Sequence, residues 1–119
     1  MKDVLTLESN KMVRNIKIGH IEINLLSGVI KTNTPQFKLD RVGRKEAKLL
    51  ELLFDNENDI VSKFSLLDLV WGEQVVTENS LAVAMFNLRT FLKKYDEKNK
   101  YRLINVSGYG YGLYSDHLL

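Results

Sequence analysis

The spacing of apolar positions changes along the chain, and its first part follows a period of two. Short apolar and β-branched runs lie between Ile16 and Leu39, separated by turn signals that contain Gly19, Gly28 and Pro35. The runs are Ile16-Lys17-Ile18, Ile21-Glu22-Ile23, Val29 to Thr32, and Gln36 to Leu39. Such alternation between turns is typical of strands and predicts a small antiparallel sheet over residues 16–40.

After Gly43 the apolar positions recur at the spacing of a helix. A first stripe ends in the polar stretch from Asp55 to Asp59, and Gly43 is an acceptable N-cap with Glu46 three residues on. The stripe consists of Ala47, Leu49, Leu50, Leu53 and Phe54. This pattern predicts a first helix with one buried face.

A second, shorter helix is predicted after the extended pair Ile60-Val61. Ser62 has the side chain of an N-cap residue, and Gly72 is placed to end the helix. Its predicted buried face consists of Leu66, Leu67, Val70 and Trp71.

The longest helical pattern runs from Glu78 to Tyr95. Its apolar residues are separated by four, three, four and three positions, which places them in one narrow sector of a helix. They are Leu81, Met85, Leu88, Leu92 and Tyr95. We therefore predict a third helix with these residues in the core and the opposite face available for function.

Two strands around a glycine-containing turn are predicted near the end of the chain. Leu103 to Val106 and Tyr111 to Tyr114 flank the turn Ser107 to Gly110, which indicates a hairpin over residues 102–114. The whole chain is predicted to be one α+β domain over 16–119, with a three-helix core at 43–95. Residues 1–15 are polar and of mixed charge, so we expect a mobile N-terminal arm, a type of segment that can touch DNA.

Composition narrows the class of protein. The 119 residues include no cysteine, which excludes disulfides and thiolate metal sites and fits a reducing cytoplasmic compartment. No apolar run reaches the roughly 20 residues of a membrane span. The net charge is only +2, but residues 79–119 hold six basic and three acidic groups after an acidic middle. A phosphate backbone would bind at this basic end.

Patterns that resemble catalytic or metal sites lack essential parts. The glycines at 108, 110 and 112 lie between two predicted strands, with no helix N-terminus to receive a phosphate. Asp55, Glu57 and Asp59 imitate the start of a calcium loop, but Ile60 stands where glycine is needed. His20 and His117 lie far apart in sequence. We expect neither an enzyme nor a cofactor or metal.

Five short motifs resemble the winged helix-turn-helix domain of the OmpR/PhoB type, in the family's order and spacing. The resemblance extends over roughly Ile16 to Tyr114. The motifs are Glu46 to Leu53 (E-x-x-L-L-x-x-L), Ile60-Val61-Ser62 running into Leu66-Leu67, Val70-Trp71-Gly72, Leu88-Arg89, and Gly108-x-Gly110-Tyr111. It implies an N-terminal antiparallel sheet, three helices and a C-terminal hairpin wing.

Within this family the chain looks most like the ToxR/CadC group. Response regulators carry the domain after a receiver domain, whereas here it begins a few residues after Met1, and Ser80-Leu81 and Leu88-Arg89 add to the likeness. That group consists of regulators whose N-terminal winged helix precedes a membrane span. The likeness implies a cytoplasmic domain, with the full-length protein anchored in the inner membrane by a segment that this chain does not contain.

The resemblance implies that the third helix enters the major groove of duplex DNA, positioned by the second. Asn side chains can pair with adenine edges, Thr with a base or a thymine methyl, and Lys with phosphates. Arg89 matches an arginine that resembles a phosphate or base contact. The predicted DNA-binding residues of this helix are Asn79, Ser80, Val83, Phe86, Asn87, Arg89, Thr90, Lys93 and Lys94.

Val83 and Phe86 depart from the family, which more often has polar or basic groups near these positions. Three interpretations of an exposed Phe86 remain open: apolar readout of thymine methyls, a protein interface, or a side chain folded back onto the hairpin.

The hairpin is expected to act as the wing, with Ser107, Tyr109 and Tyr111 as its predicted DNA-binding residues. Ser107 and Gly112 stand where the family has arginine, so a strong electrostatic insertion into the minor groove is missing. Tyr111 and Trp71 are expected to be partly buried.

The loop before the third helix matches a segment that can touch RNA polymerase in this family. Glu73 and two valines that we expect to be exposed, Val75 and Val76, fit such a contact with the polymerase or another partner, although loops of this composition are common.

We predict sequence-specific binding of promoter DNA by a bacterial transcriptional regulator, with a homodimer or a paired regulator as a further expectation. The alternative is a winged helix that mainly binds another DNA-binding regulator or RNA polymerase and binds DNA weakly. The few arginines on the third helix and the wing favour that alternative.

Overall fold

The first part of the described chain forms a four-stranded antiparallel sheet. The computed structural model describes residues 14–32, 39–74 and 76–115. The strands are β1 (Asn15–Ile18), β2 (Ile21–Asn24), β3 (Val29–Thr32) and β4 (Leu39–Arg41), paired in sequence order. Their alternating residues place the side chains of Ile18, Ile21, Ile23 and Ile30 in the core.

Two boundaries of this sheet differ from the predicted ones. Asn15, which we assigned to a mobile arm, belongs to β1 and pairs with Asn24, and the carbonyl of Arg14 accepts a hydrogen bond from Leu25. The rest of that predicted arm lies outside the described residues. Of the predicted fourth run only Leu39 is described, and β4 continues from it to Arg41.

Three helices follow, at the predicted places. They are α1 (Arg44–Asp55), α2 (Lys63–Trp71) and α3 (Glu78–Tyr95). Gly43 is the N-cap of α1, and the side chain of Ser62 caps α2 by accepting a hydrogen bond from the Ser65 amide at 3.1 Å. Gly72 ends α2 at a φ of 62°, a conformation that favours glycine.

The hairpin is part of a second, three-stranded sheet. Its strands are β5 (Ile60–Ser62), β6 (Tyr101–Val106) and β7 (Gly110–Ser115), in the order β5-β7-β6. The extended pair Ile60-Val61 therefore forms a strand that pairs with β7 before α2 begins. This sheet fastens the hairpin to the start of α2.

One core lies between the first sheet, the three helices and the inner face of β7. The predicted stripe of α3 is buried in full, and Ala84 and Phe91 of the same helix are buried beside it. In α1 the stripe is buried except for Phe54, which is half-buried. Its ring lies edge-to-face with the Tyr101 ring, with the two centroids 5.1 Å apart. The predicted α+β class, with three helices and a C-terminal hairpin, is confirmed.

Within the ranges that the structure describes, none of the helices combines the length and the apolar character needed to cross a membrane.

Candidate nucleic-acid interface

The outward face of α3, the longest helix of the described residues, is exposed to solvent. Because the buried stripe occupies one sector, the residues about half a turn away point outward. Those predicted to contact DNA are exposed except for Ser80, which is half-buried. The exposed ones are Asn79, Val83, Phe86, Asn87, Arg89, Thr90, Lys93 and Lys94.

One flank of α3 is attached to acidic groups of neighbouring elements. Asn87 donates a hydrogen bond from Nδ2 to Oε2 of Glu46 in α1 at 3.0 Å. The ammonium of Lys94 lies 3.1 Å from Oδ2 of Asp40 in β4. Sequence reasoning assigned both side chains to DNA, but here they bind carboxylates of the domain itself. We call this side, with Asn87 and Lys94, the sheet flank.

Asp40 is stabilised in its charged form by three donors. The Tyr95 hydroxyl, the Arg41 amide and the Lys94 ammonium bind its carboxylate and lower the pKa of Asp40 to about 2. The hydrogen bond from Lys94 to Asp40 raises the pKa of Lys94 in turn. In this cluster the Asp40 carboxylate balances the positive charge of Lys94. The cluster also joins the end of α3 to the first sheet.

The opposite flank of α3 carries cations without carboxylate partners. Arg89 and Lys93 are exposed, and within the described ranges the structure pairs neither of them with an acidic side chain. Arg89, Lys93 and Asp96 line one surface groove, but Asp96 is buried and accepts hydrogen bonds from the amides of Lys100 and Tyr101. We call this side, with Ala82, Arg89 and Lys93, the wing flank.

Apolar side chains form the centre of the outward face. Val83 is 51% exposed and Phe86 is 66% exposed, so the interpretation in which Phe86 folds back onto the hairpin is wrong. The hydroxyl of Thr90 donates to the Phe86 carbonyl at 3.1 Å, which orients the Thr90 methyl group and leaves its oxygen as an acceptor.

The wing stands beside the N-terminal half of α3. A cleft between them is lined by Asn79 and Ala82 on the helix and by residues 105–111 on the hairpin. Ser107 and Tyr109 are exposed at the turn. Tyr111 is half-buried against the core, as predicted, and Trp71 is half-buried too.

Lys63, which sequence reasoning missed, lies in this cleft. Its amide donates to the Tyr109 carbonyl at 2.8 Å, and its ammonium lies 3.0 Å from Oε1 of Glu78 at the start of α3. It is therefore a cation next to both the helix and the wing. In the sequence, Lys63 directly follows the predicted N-cap Ser62. A cation at the start of the second helix was therefore visible before the structure.

The loop before α3 is described except for Val75, which lies outside the described residues. Glu73 is exposed, but Val76 is half-buried and not exposed as we assumed. The side chain of Lys45 donates to the Val70 carbonyl and to Oε1 of Gln74, so α1 anchors the start of this loop.

A comparison with protein families identifies the family of this domain. Residues 40–113 match the family described as "Transcriptional regulatory protein, C terminal". The chain belongs to this OmpR/PhoB-type family. Its members are DNA-binding transcriptional regulators and not enzymes.

Curated proteins of Salmonella and Yersinia are similar in sequence to this OmpR/PhoB-type domain. The chain is 32% identical over 105 residues to the transcriptional regulator HilA of Salmonella typhimurium, covering 88% of this chain and 17% of HilA. It is 28% identical over 91 residues to the protein PsaE of Yersinia pseudotuberculosis, covering 76% of this chain and 41% of PsaE. The chain therefore spans less than half the length of either relative.

Solved structures share the winged-helix fold. The DNA-binding domain of Escherichia coli CadC superposes with a TM-score of 0.67 at 22% identity, covering 85% of this chain and 92% of that domain. The DNA-binding domain of Escherichia coli CpxR gives a TM-score of 0.65 at 18% identity, covering 86% and 97%. The DNA-binding domain of the response regulator AdeR, solved in complex with an intercistronic region, gives a TM-score of 0.61 at 20% identity, covering 83% of this chain and 98% of that domain.

Proposed function

We propose that this domain binds duplex DNA sequence-specifically, with α3 in the major groove and the hairpin over the adjacent backbone or minor groove. The observation that carries the proposal is the outward face of α3, the exposed side of an 18-residue helix next to a wing. The major groove of B-DNA admits one α-helix, whose exposed side chains then reach the base edges.

The distribution of charge on α3 supports an orientation within the groove. The carboxylates of Asp40 and Glu46 lie on the sheet flank, where they would repel phosphates. Arg89 and Lys93 lie on the wing flank, beyond the apolar centre at Val83 and Phe86. We infer that the wing flank turns toward the phosphates and the sheet flank away from them.

Base readout then rests on fewer side chains than the sequence suggested. Asn79 is exposed at the start of α3 beside the wing and can pair with an adenine edge. Val83, Phe86 and the Thr90 methyl group fit thymine methyls. This set favours an A·T-rich site and modest affinity for a single domain.

The test is DNA binding across a salt series, on promoter and generic duplexes. Each phosphate that the protein neutralises contributes about −0.9 to the slope of log affinity against log salt. We expect a linear decrease for both duplexes, with the promoter duplex bound more tightly. Binding that is absent at low ionic strength would refute the proposal.

Two matched variants locate the interface. Arg89→Ala should weaken binding and make the slope shallower by about 0.9, with an unchanged melting temperature because the side chain is exposed. Lys17→Ala removes an exposed cation from β1 and should change neither the affinity nor the slope. Equal effects of the two variants would argue against a surface centred on α3.

The second candidate function is a protein-interaction module that binds another regulator or RNA polymerase and binds DNA weakly. The exposed Phe86 and Val83 favour it, since large apolar groups at the centre of a surface are typical of interfaces. Sedimentation of the domain alone and with a related winged-helix protein distinguishes the two. Salt-insensitive association with protein and no DNA binding would establish this alternative.

For the whole protein we propose promoter DNA in the cytoplasm as the target, with anchoring in the inner membrane through a segment outside this chain. A contact between Glu73 or Val76 and RNA polymerase, and pairing of two domains on DNA, belong to the same proposal. Membrane fractionation of the full-length protein tests the anchor, and transcription with Glu73→Ala tests the polymerase contact.

A further inference from the structure

A groove with an apolar centre and charged edges lies between the turn after β2, helix α1 and helix α2. Leu26 and Leu69 are its exposed apolar residues, at 50% and 54%. Arg44, Lys48 and Glu51 of α1 line it as well. We call this the α1 groove. In the described part of the chain, none of its lining residues belongs to α3 or the hairpin.

The charge of the α1 groove follows the direction of α1. Arg44 and Lys48 lie toward the helix start and are exposed, whereas Glu51 lies toward its end. Lys45, between them, is already bound to the Val70 carbonyl and to Gln74. The groove therefore offers two leucines and two cations to an occupant that is apolar and acidic.

The N-terminal end of the described chain lies beside this groove. The carbonyl of Arg14 accepts a hydrogen bond at 2.8 Å from the amide of Leu25, a residue of the groove wall. The guanidinium of Arg14 pairs with Asp55 at the end of α1. The residues that precede Arg14 thus start next to the Glu51 end of the groove.

Those residues have the composition that the groove requires. Asp3-Val4-Leu5-Thr6-Leu7-Glu8 combines two leucines, two positions apart, with a carboxylate on each side. In an extended chain Leu5 and Leu7 point to the same side. Six residues lie between Leu7 and Arg14, so seven steps of an extended chain let these two residues lie up to about 23 Å apart. The 12 residues of α1 extend about 18 Å, so the segment is long enough to reach the far end of the groove.

We propose that residues 3–8 bind in the α1 groove of their own domain, with Leu5 and Leu7 against Leu26 and Leu69 and the carboxylates toward Arg44 and Lys48. Burial of four leucines provides the driving force, and the paired charges set the direction of the segment. The segment then covers a surface away from α3 and serves the stability of the domain. This differs from an arm that touches DNA.

Paramagnetic relaxation enhancement tests the contact in the complete 119-residue chain. The sequence contains no cysteine, so Thr6→Cys takes a single nitroxide label. We expect the strongest broadening at the amides of Leu26, Lys48 and Leu69, and little at those of α3 or the hairpin. Broadening confined to α3 and the hairpin, or no localised broadening, would overturn the proposal.

Two matched variants of exposed leucines serve as the control. Leu69→Glu introduces a negative charge into the groove and should abolish the localised broadening. Leu39→Glu changes a leucine that is 57% exposed on β4, outside the groove, and should leave the broadening intact. Broadening that persists in Leu69→Glu would contradict the assigned site.

The occupant is checked by mixing isotope-labelled protein without nitroxide and unlabelled protein with nitroxide. Broadening in the mixture would show that the segment binds a second copy, which overturns the intramolecular proposal. A thermal readout adds a second criterion. The double variant Leu5→Ser and Leu7→Ser should lower the melting temperature by about 5 °C in the parent chain and have no effect in the Leu69→Glu chain.

Discussion

The ammonium of Lys94 in α3 lies 3.1 Å from the carboxylate of Asp40 in β4. Tyr95, the next residue of the helix, donates its hydroxyl proton to the same oxygen. The C-terminal end of α3 is therefore fastened to the first sheet, while its N-terminal half stands beside the wing. This connection determines which flank of α3 is free to approach a ligand.

Lowering the pH should remove the stabilisation that the Asp40 cluster gives to the fold. The pKa of Asp40 is lowered from its ordinary value of 3.8 to about 2 in the fold. The cluster therefore stabilises the fold above pH 4, and this contribution is lost as the pH falls toward 2. Because the side chain is 40% exposed, we expect about 1 kcal/mol after allowance for solvent screening. Urea unfolding at pH 6, 4 and 2 measures it.

Asp40→Asn should remove this pH-dependent part of the free energy of unfolding. Asp68→Asn, at an exposed carboxylate of α2, is the matched control and should retain it. Parallel pH profiles for the parent and the Asp40→Asn protein would contradict the assignment.

Two neighbouring lysines of α3 should differ in their effect on DNA. Lys93→Ala is expected to weaken binding and make the salt slope shallower by about 0.9, because Lys93 is exposed on the wing flank. Lys94→Ala should have a smaller effect on the slope and lower the melting temperature, because Lys94 already binds Asp40. Fluorescence anisotropy across a salt series, with thermal unfolding of both variants, makes the comparison. The reverse ranking would show that Lys94 leaves Asp40 for a phosphate.

Phe86→Ala should leave thermal stability unchanged, because 66% of the side chain is exposed. If Phe86 reads thymine methyls, the variant should bind an A·T-rich duplex several-fold more weakly, with a smaller loss on a G·C-rich one. Affinities for the two duplexes and sedimentation of the free protein measure the outcome. Unchanged affinity together with unchanged self-association would remove both the readout and the interface interpretation.

Two glycines of the wing should tolerate substitution very differently. A Cβ atom on Gly110 would lie 2.0 Å from the Val61 carbonyl oxygen, so Gly110→Ala must push β7 away from β5. We expect a loss of about 3 kcal/mol or more in the free energy of unfolding. Gly108→Ala meets no atom within 4 Å and has only the strain of a φ of +77°, which costs about 1 kcal/mol. Chemical unfolding of both variants checks the order, and equal losses would contradict the close approach.

Much of the fold followed from local patterns. The predicted third helix and α3 have the same bounds, Glu78 to Tyr95. Its predicted stripe of five apolar residues is buried, because residues at this spacing lie in one narrow sector of the helix. Ser62 and Gly72 marked the ends of α2 because capping depends on residues within one turn of the helix end.

The candidate site was predicted less well. Which α3 residues point outward follows from the helical period, and all of them except Ser80 are exposed. The partners of Asn87 and Lys94, however, come from positions 41 and 54 residues away in the chain. No local pattern reports such contacts, so the sequence did not show that these two side chains bind the domain's own carboxylates. Their contact with DNA stays a prediction.

The sequence by itself determined the order of strands and helices, the buried face of each helix and the helix ends, because periodicity and capping act over a few residues. Only the tertiary structure decided that Ile60–Ser62 pairs with β7, that Gly110 meets Val61, and that Asp40 holds one flank of α3. These contacts depend on how the sheets and helices pack together. That packing also decides which flank of α3 presents its cations beside the wing.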